Sequence, residues 1–187
     1  MRSHTAMTVT FERTGARRYA TVVSVPGEPV RRAEPAPGFA PAFPHDLVHY
    51  LVEATLGMTH GVFGRALSGG AGLFLPVGDD PRERAREQRR RQRREAALAA
   101  ADRGDMERSE RLTGWCTVTW YRRAGAATPE WARRGAGTSA VQTPEDQVVV
   151  DRVVALLDEL SPRWQALPVG GALQFTWPDT TAVVLGA

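Results

Sequence analysis

Apolar and polar positions alternate with a period of two in three places. Thr8 to Arg13 and Arg17 to Val25 are rich in β-branched and aromatic residues and flank the turn Thr14-Gly15-Ala16, which predicts a β-hairpin. Leu173 to Trp177 alternates in the same way between Gly170-Gly171 and Pro178. Val30 to Arg32 reads as a short third strand, and the prolines at 35, 37 and 41 make an extended connection. A strand so close to the end of the sequence has a natural home beside the hairpin at its start.

The helical period of 3.6 takes over elsewhere. Pro44 suits a helix start and Gly57 a helix stop, so the spacing predicts a helix over 45–56. Leu47, Val48, Leu51 and Val52 fall on its apolar side; His45, Asp46, His49, Tyr50 and Glu53 fall opposite. Residues 58–67 read as a short helix or turn, and 68–72 as a flexible glycine loop. Pro81 to Glu95, capped by Asp79 or Asp80, continues through alanines to 101 as a helix. Met106 to Arg123 makes the second half of a central helical hairpin over 82–121, either projecting from the body or packed on its side. Residues 129–134 suggest a single helical turn. Thr143-Pro144-Glu145-Asp146 opens a helix expected to run to Leu160, with Ser161-Pro162 starting a separate short piece to Leu167.

These elements predict one α+β domain over 1–187: a small antiparallel sheet built from both termini, packed by helices near 45–56 and 145–160. Residues 1–6 read as a tail. The composition is that of a globular chain, 42% hydrophobic and 24% charged. No apolar run approaches the ~20 residues of a membrane span and no secretory signal is visible, so no membrane partner is expected and a cytoplasmic location is. The lone Cys116 excludes an internal disulfide and reads as packing, as do Trp115 and Trp120.

All 24 basic residues are arginine, and lysine, asparagine and isoleucine are absent. That bias marks a GC-rich genome and weakens the argument from a pI of 9.7. Eight arginines face three glutamates over 82–95, a net +5. Such a run meets phosphate backbones, yet no aromatic interleaves it. A solvated helix is the preferred reading and nucleic acid is not favoured.

Candidate chemistry sits on the 45–56 helix. His45 and His49, four apart, point the same way on a helix, as in the H-E-x-x-H helix of zinc hydrolases, and Glu53 continues the row. Asp46 stands where that motif has Glu and is a methylene short for the base. The three residues His45, His49 and Glu53 are therefore the candidate ligands for Zn²⁺, with Asp46, Tyr50 and His60 completing the candidate face. The plainer reading makes Asp46 the helix N-cap. His45 would then lie outside the helix and the paired geometry would vanish. The cap reading is the expected one. A phosphate loop is excluded by the lack of lysine.

Phe43 to Glu53, with the opening Met7 to Phe11 and the closing Gly170 to Pro178, resembles a family of uncharacterised proteins from GC-rich bacteria. The resemblance implies no activity and no catalytic residue. The functional expectation is a non-enzymatic binding or interaction protein. A metal-dependent hydrolase on the His45/His49/Glu53 face is the alternative, and backbone contact with nucleic acid through the arginine helix comes third.

Overall fold

Period-two alternation sends Val9 and Phe11 of β1 (Thr8–Gly15), Tyr19, Thr21 and Val23 of β2 (Arg18–Ser24), and Leu173 and Phe175 of β5 (Ala172–Thr176) to one face. The register joins them: Val9 pairs with Val23 and Phe175, and Phe11 with Thr21 and Leu173. In this computed structural model, which describes residues 6–70, 72–136 and 143–186, β1 thus lies between the hairpin partner and a strand from the far end of the sequence. The full order is β4-β3-β2-β1-β5-β6, antiparallel throughout, with β3 at Arg31–Ala33, β4 at Leu75–Pro76 and β6 at Val183–Leu185. The two outermost strands, β4 and β6, are not among the expected elements. The fold is α+β, as expected, with strands from both ends of the chain. Of the expected tail, residues 1–5 lie outside the described residues.

Six helices are described. Helices α1 (His45–Leu56) and α6 (Pro144–Gln165) cover the apolar face of the sheet. Tyr50 of α1 meets Phe11 at 6.0 Å and Phe175 at 4.8 Å between ring centroids, and Trp164 of α6 meets Tyr19 at 6.3 Å. Helix α4 (Asp105–Arg123) then lies over α1 and α6, burying Ser109, Leu112, Thr113 and Cys116 at helical spacing. The short α5 (Glu130–Ala136) packs on α4. Helix α1 is therefore a middle layer. Every residue from Asp46 to Glu53 is buried, so its polar side faces protein and not solvent.

Local chemistry sets the helix ends. Thr143 accepts from the N–H of Asp146 to cap α6, and Asp80 accepts from Arg82 N to cap α3 (Pro81–Ala101). At the start of α4, the Asp102 carboxylate accepts from the N–H groups of Gly104, Asp105 and Met106. Gly57 closes α1 in the left-handed conformation. Helix α6 corrects an expectation: it runs through Pro162 without a break. The carbonyl that proline deprives of a donor belongs to Asp158, an exposed residue, while Leu160, Ser161 and Trp164 stay buried and hold the last turn in place.

The two central helices meet over residues 102–104 and then go to different neighbours. Helix α4 joins the core, whereas α3 lies along β4. Helix α3 is not solvated all round, as its arginine run led one to expect: it buries one face, and that face is polar. Arg91 is 1% exposed and meets Glu87 at 2.7 Å and Glu28 at 3.0 Å. Arg65 of α2 (Val62–Leu67) reaches Glu95 at 2.9 Å and Asp102 at 2.8 Å. Among the described residues no helix is long and apolar enough to cross a membrane.

Candidate metal centre

His45 is the first residue of α1, preceded by Pro44 at the N-cap position, and no side chain caps that end. Asp46 is not the cap, which corrects the expected reading. Its carboxylate is taken by the sheet: Oδ2 accepts from the Thr21 hydroxyl at 2.7 Å, and its backbone N–H points to the Tyr19 hydroxyl at 3.4 Å. Parity on β2 places Thr21 on the helix-facing side of the sheet, so the fold claims Asp46 before a cap can form.

With His45 inside the helix, the two imidazoles converge. Nε2 of His45 lies 3.1 Å from Nε2 of His49, and the ring centroids are 4.6 Å apart. Trp131 of α5 packs on the outer side of His45 at 4.5 Å. Gly38 passes close on another: a Cβ there would stand 2.5 Å from His45 Cβ, at a backbone φ of +71°.

Glu53 lies behind His49, its Oε1 4.0 Å from Nδ1, and does not reach the Nε2 pair, a second correction. Its Oε1 accepts from Val62 N at 2.9 Å and from the Ser109 hydroxyl at 2.8 Å; Oε2 accepts from Phe63 N at 2.9 Å. The carboxylate closes the first turn of α2 and has no oxygen left for an ion beside the histidines. Burial nonetheless pushes Glu53 up to about 7, against the pull of those donors. The place expected for Glu53 is filled by Glu110 of α4. Its Oε2 lies 3.6 Å from His49 Nε2. His45, His49 and Glu110 each offer a ligand atom, all within 4.8 Å of one another.

The remaining candidates lie elsewhere. Tyr50 belongs to the aromatic core, its hydroxyl donating to Asp179 O at 2.7 Å. His60 sits beside Thr59 and Asp105, its Nδ1 3.7 Å from Asp105 Oδ2. Asp46 reaches the site only from behind, with Oδ1 3.6 Å from His45 Nδ1.

The hydrogen bonds decide which nitrogens are bare. The Ser109 hydroxyl gives its proton to Glu53, so toward His49 Nδ1, at 2.9 Å, it is an acceptor. Nδ1 of His49 therefore carries the hydrogen and Nε2 carries the lone pair. His45 Nδ1 has no hydrogen-bond partner among the described residues and faces the Asp46 carboxylate. With the hydrogen of His45 on Nε2, that nitrogen donates to His49 Nε2; with it on Nδ1, both Nε2 atoms are bare. In the second tautomer two lone pairs confront each other at 3.1 Å, with the Glu110 carboxylate beside them. Burial, and next the neighbouring His45, push His49 down to about 3, so it remains neutral near pH 7. A proton on His49 is not the cation that fills this gap.

The spacing fits a metal. Two nitrogens bound at 2.0–2.1 Å in a tetrahedron stand about 3.3 Å apart. The separations of 3.1 and 3.6 Å bracket that value. The chain Glu53–Ser109–His49 is the kind of outer hydrogen bonding that fixes a ligating imidazole. Sequence reasoning missed Glu110 and Ser109. They lie about sixty residues from the histidines, on a stretch whose charges look like any exposed helix face. Comparisons with family models, with curated proteins and with solved structures give no match.

Proposed function

We propose that this chain is a metal-binding protein whose site is His45 Nε2, His49 Nε2 and Glu110 Oε2. The observation that carries the reading is the convergence of the His45 and His49 Nε2 atoms at 3.1 Å, with Glu110 Oε2 3.6 Å from His49 Nε2. Two imidazoles and one carboxylate suit Zn²⁺ or another borderline divalent ion. The earlier expectation of a binding protein is kept, with its ligand now named.

A second reading, a metal-dependent hydrolase, has one specific support. Three protein ligands leave a tetrahedral ion one further position, the pattern of catalytic rather than structural zinc. Glu110 is 55% exposed and His45 21%, so that position opens to solvent. Glu53 is withdrawn from any role as base by its three donors.

The test is the metal content of protein purified without a histidine tag, for the parent and for Glu110→Gln and His49→Ala. One equivalent of zinc in the parent, lost or sharply weakened in both variants, is expected. A metal-free parent that shows no melting shift with added zinc would defeat the proposal. Hydrolysis of generic esters and peptides by the zinc-loaded parent, absent in Glu110→Gln, separates the second reading from the first.

A further inference from the structure

Helix α3 sorts its charges by face. Toward the body lie Glu87, Arg91, Glu95 and Leu98, all at least partly buried. The acids are spent there: Glu87 on Arg90 and Arg91, Glu95 on Arg65. Arg82, Arg86, Arg89 and Arg93 are exposed, and none makes a side-chain hydrogen bond or ion pair among the described residues. Steps of four, three and four residues return to nearly the same side of a helix. The four guanidinium groups thus form one straight row, about 16 Å from first to last at 1.5 Å per residue.

The row is held rigid. Arg91 is buried against Glu28 and Glu87, Arg94 donates to Ser68 O at 3.1 Å, and Arg84 donates to Gly78 O. A coding bias explains why these residues are arginine and not lysine. It does not explain why the unpaired Arg82, Arg86, Arg89 and Arg93 share one side of the helix while Glu87, Arg91 and Glu95 are paired on another.

Beside the row runs an open groove of about 680 Å³. Arg86, Arg89 and Arg93 form one wall; Pro76 and Val77 form the other, with Val77 52% exposed. Asp80 and Glu83 line the end at the helix's N-terminus, and Glu87, already paired with Arg90 and Arg91, lines the middle; Arg82 stands just outside the lining.

We propose that this groove binds single-stranded nucleic acid, RNA or DNA, without reading its sequence. The arginine wall takes phosphates, and Pro76 and Val77, which offer apolar surface but no aromatic ring, cover part of the faces of unpaired bases, which a duplex does not offer. No side chain in the run is placed to read base edges, so sequence preference is absent. The proposal is independent of the metal centre.

The experiment is fluorescence anisotropy of a labelled mixed-sequence oligonucleotide, single-stranded and as a duplex, titrated with full-length protein. Three phosphate contacts on a single strand give a slope of log K against log salt of about −2. Affinity then falls about twenty-fold between about 50 and 200 mM salt. The variant Arg82→Gln/Arg86→Gln/Arg89→Gln/Arg93→Gln should lose binding and flatten the slope. Its melting temperature should not move, because glutamine is a comparable helix former. A charge-matched control carries Arg103→Gln, Arg122→Gln, Arg133→Gln and Arg152→Gln, four arginines exposed elsewhere, and should bind like the parent. Equal loss in both variants, tighter binding of the duplex, equal binding to anionic phospholipid vesicles, or a slope shallower than about −1 would overturn the proposal.

Discussion

His49 and Ser109, sixty residues apart, meet at 2.9 Å through Nδ1 and Oγ, and this contact fixes which nitrogen of His49 is left bare. Ser109→Ala removes the acceptor for Nδ1–H and the donor to Glu53 together. The metal ligands themselves remain. Zinc should still bind with the same stoichiometry, about 10- to 100-fold more weakly. Competition against a chromophoric chelator measures this. An unchanged affinity would show that the serine has no part in the site.

Glu53 should make the metal-free protein less stable as pH rises. Its carboxyl is raised in the fold from 4.5 to about 7. Below 4.5 it is protonated folded and unfolded alike, and its full contribution is present. Between about 4.5 and 7 the unfolded chain ionises first, so stability falls across that window and levels off above it. The loss is on the order of 3 kcal/mol. Glu53→Gln should flatten that slope, while costing about 1–3 kcal/mol at acid pH because its amide faces backbone donors. Melting in the presence of chelator from pH 4 to 8 checks both statements; equal slopes in parent and variant would refute them.

Two glycines act as spacers for the site. A Cβ at Gly61 would stand 2.3 Å from the Glu53 carboxyl carbon. Gly61→Ala should therefore cost about 1–3 kcal/mol, as overpacking does. Gly38→Ala, set against His45 at a positive φ, should cost a similar amount and also weaken zinc. Denaturant titration of both variants against the parent is decisive. Parent-like midpoints would mean that the neighbouring chain yields freely.

Arg91 should matter more than any other arginine of α3. Removing it leaves Glu28 and Glu87 without a common cation, both of them partly exposed. Arg91→Ala should destabilise by roughly 2 kcal/mol, less than the 3–5 seen when a fully buried pair is broken. Arg91→Met, which keeps the aliphatic stem, should cost less. Arg89→Ala, on the outer row, should change stability by no more than about 0.5 kcal/mol. Thermal melts that rank Arg89 above Arg91 would contradict the packing described here.

Much of the frame was legible because it is written in local periodicity. Thr8 to Val25 alternates, Pro44 and Gly57 bracket a helix, and Thr143 caps another. The strands at Leu75 and Val183 are too short to show alternation, and only a neighbouring edge makes them strands. Pro162 misled because the rule for proline assumes a helix that nothing else holds in place. The histidine pair was legible from its spacing. The nearness of Glu110 was not, because an acid four residues along looks the same whether it faces the histidines or the N–H groups of 62 and 63. The cap reading of Asp46 failed for a related reason: a hydroxyl on a strand twenty-five residues earlier took the carboxylate.

The pairing of Thr8 with Thr176 has a consequence for synthesis of the chain. At ~5–20 residues per second, the ribosome makes β1 on the order of ten to thirty seconds before its second neighbour. Through that interval one edge of what becomes a central strand has only water or a foreign strand to bond. The alternating Val9 and Phe11 stand on that same strand. A nascent chain of this protein therefore carries an open strand edge until residues 172–176 arrive and close the sheet.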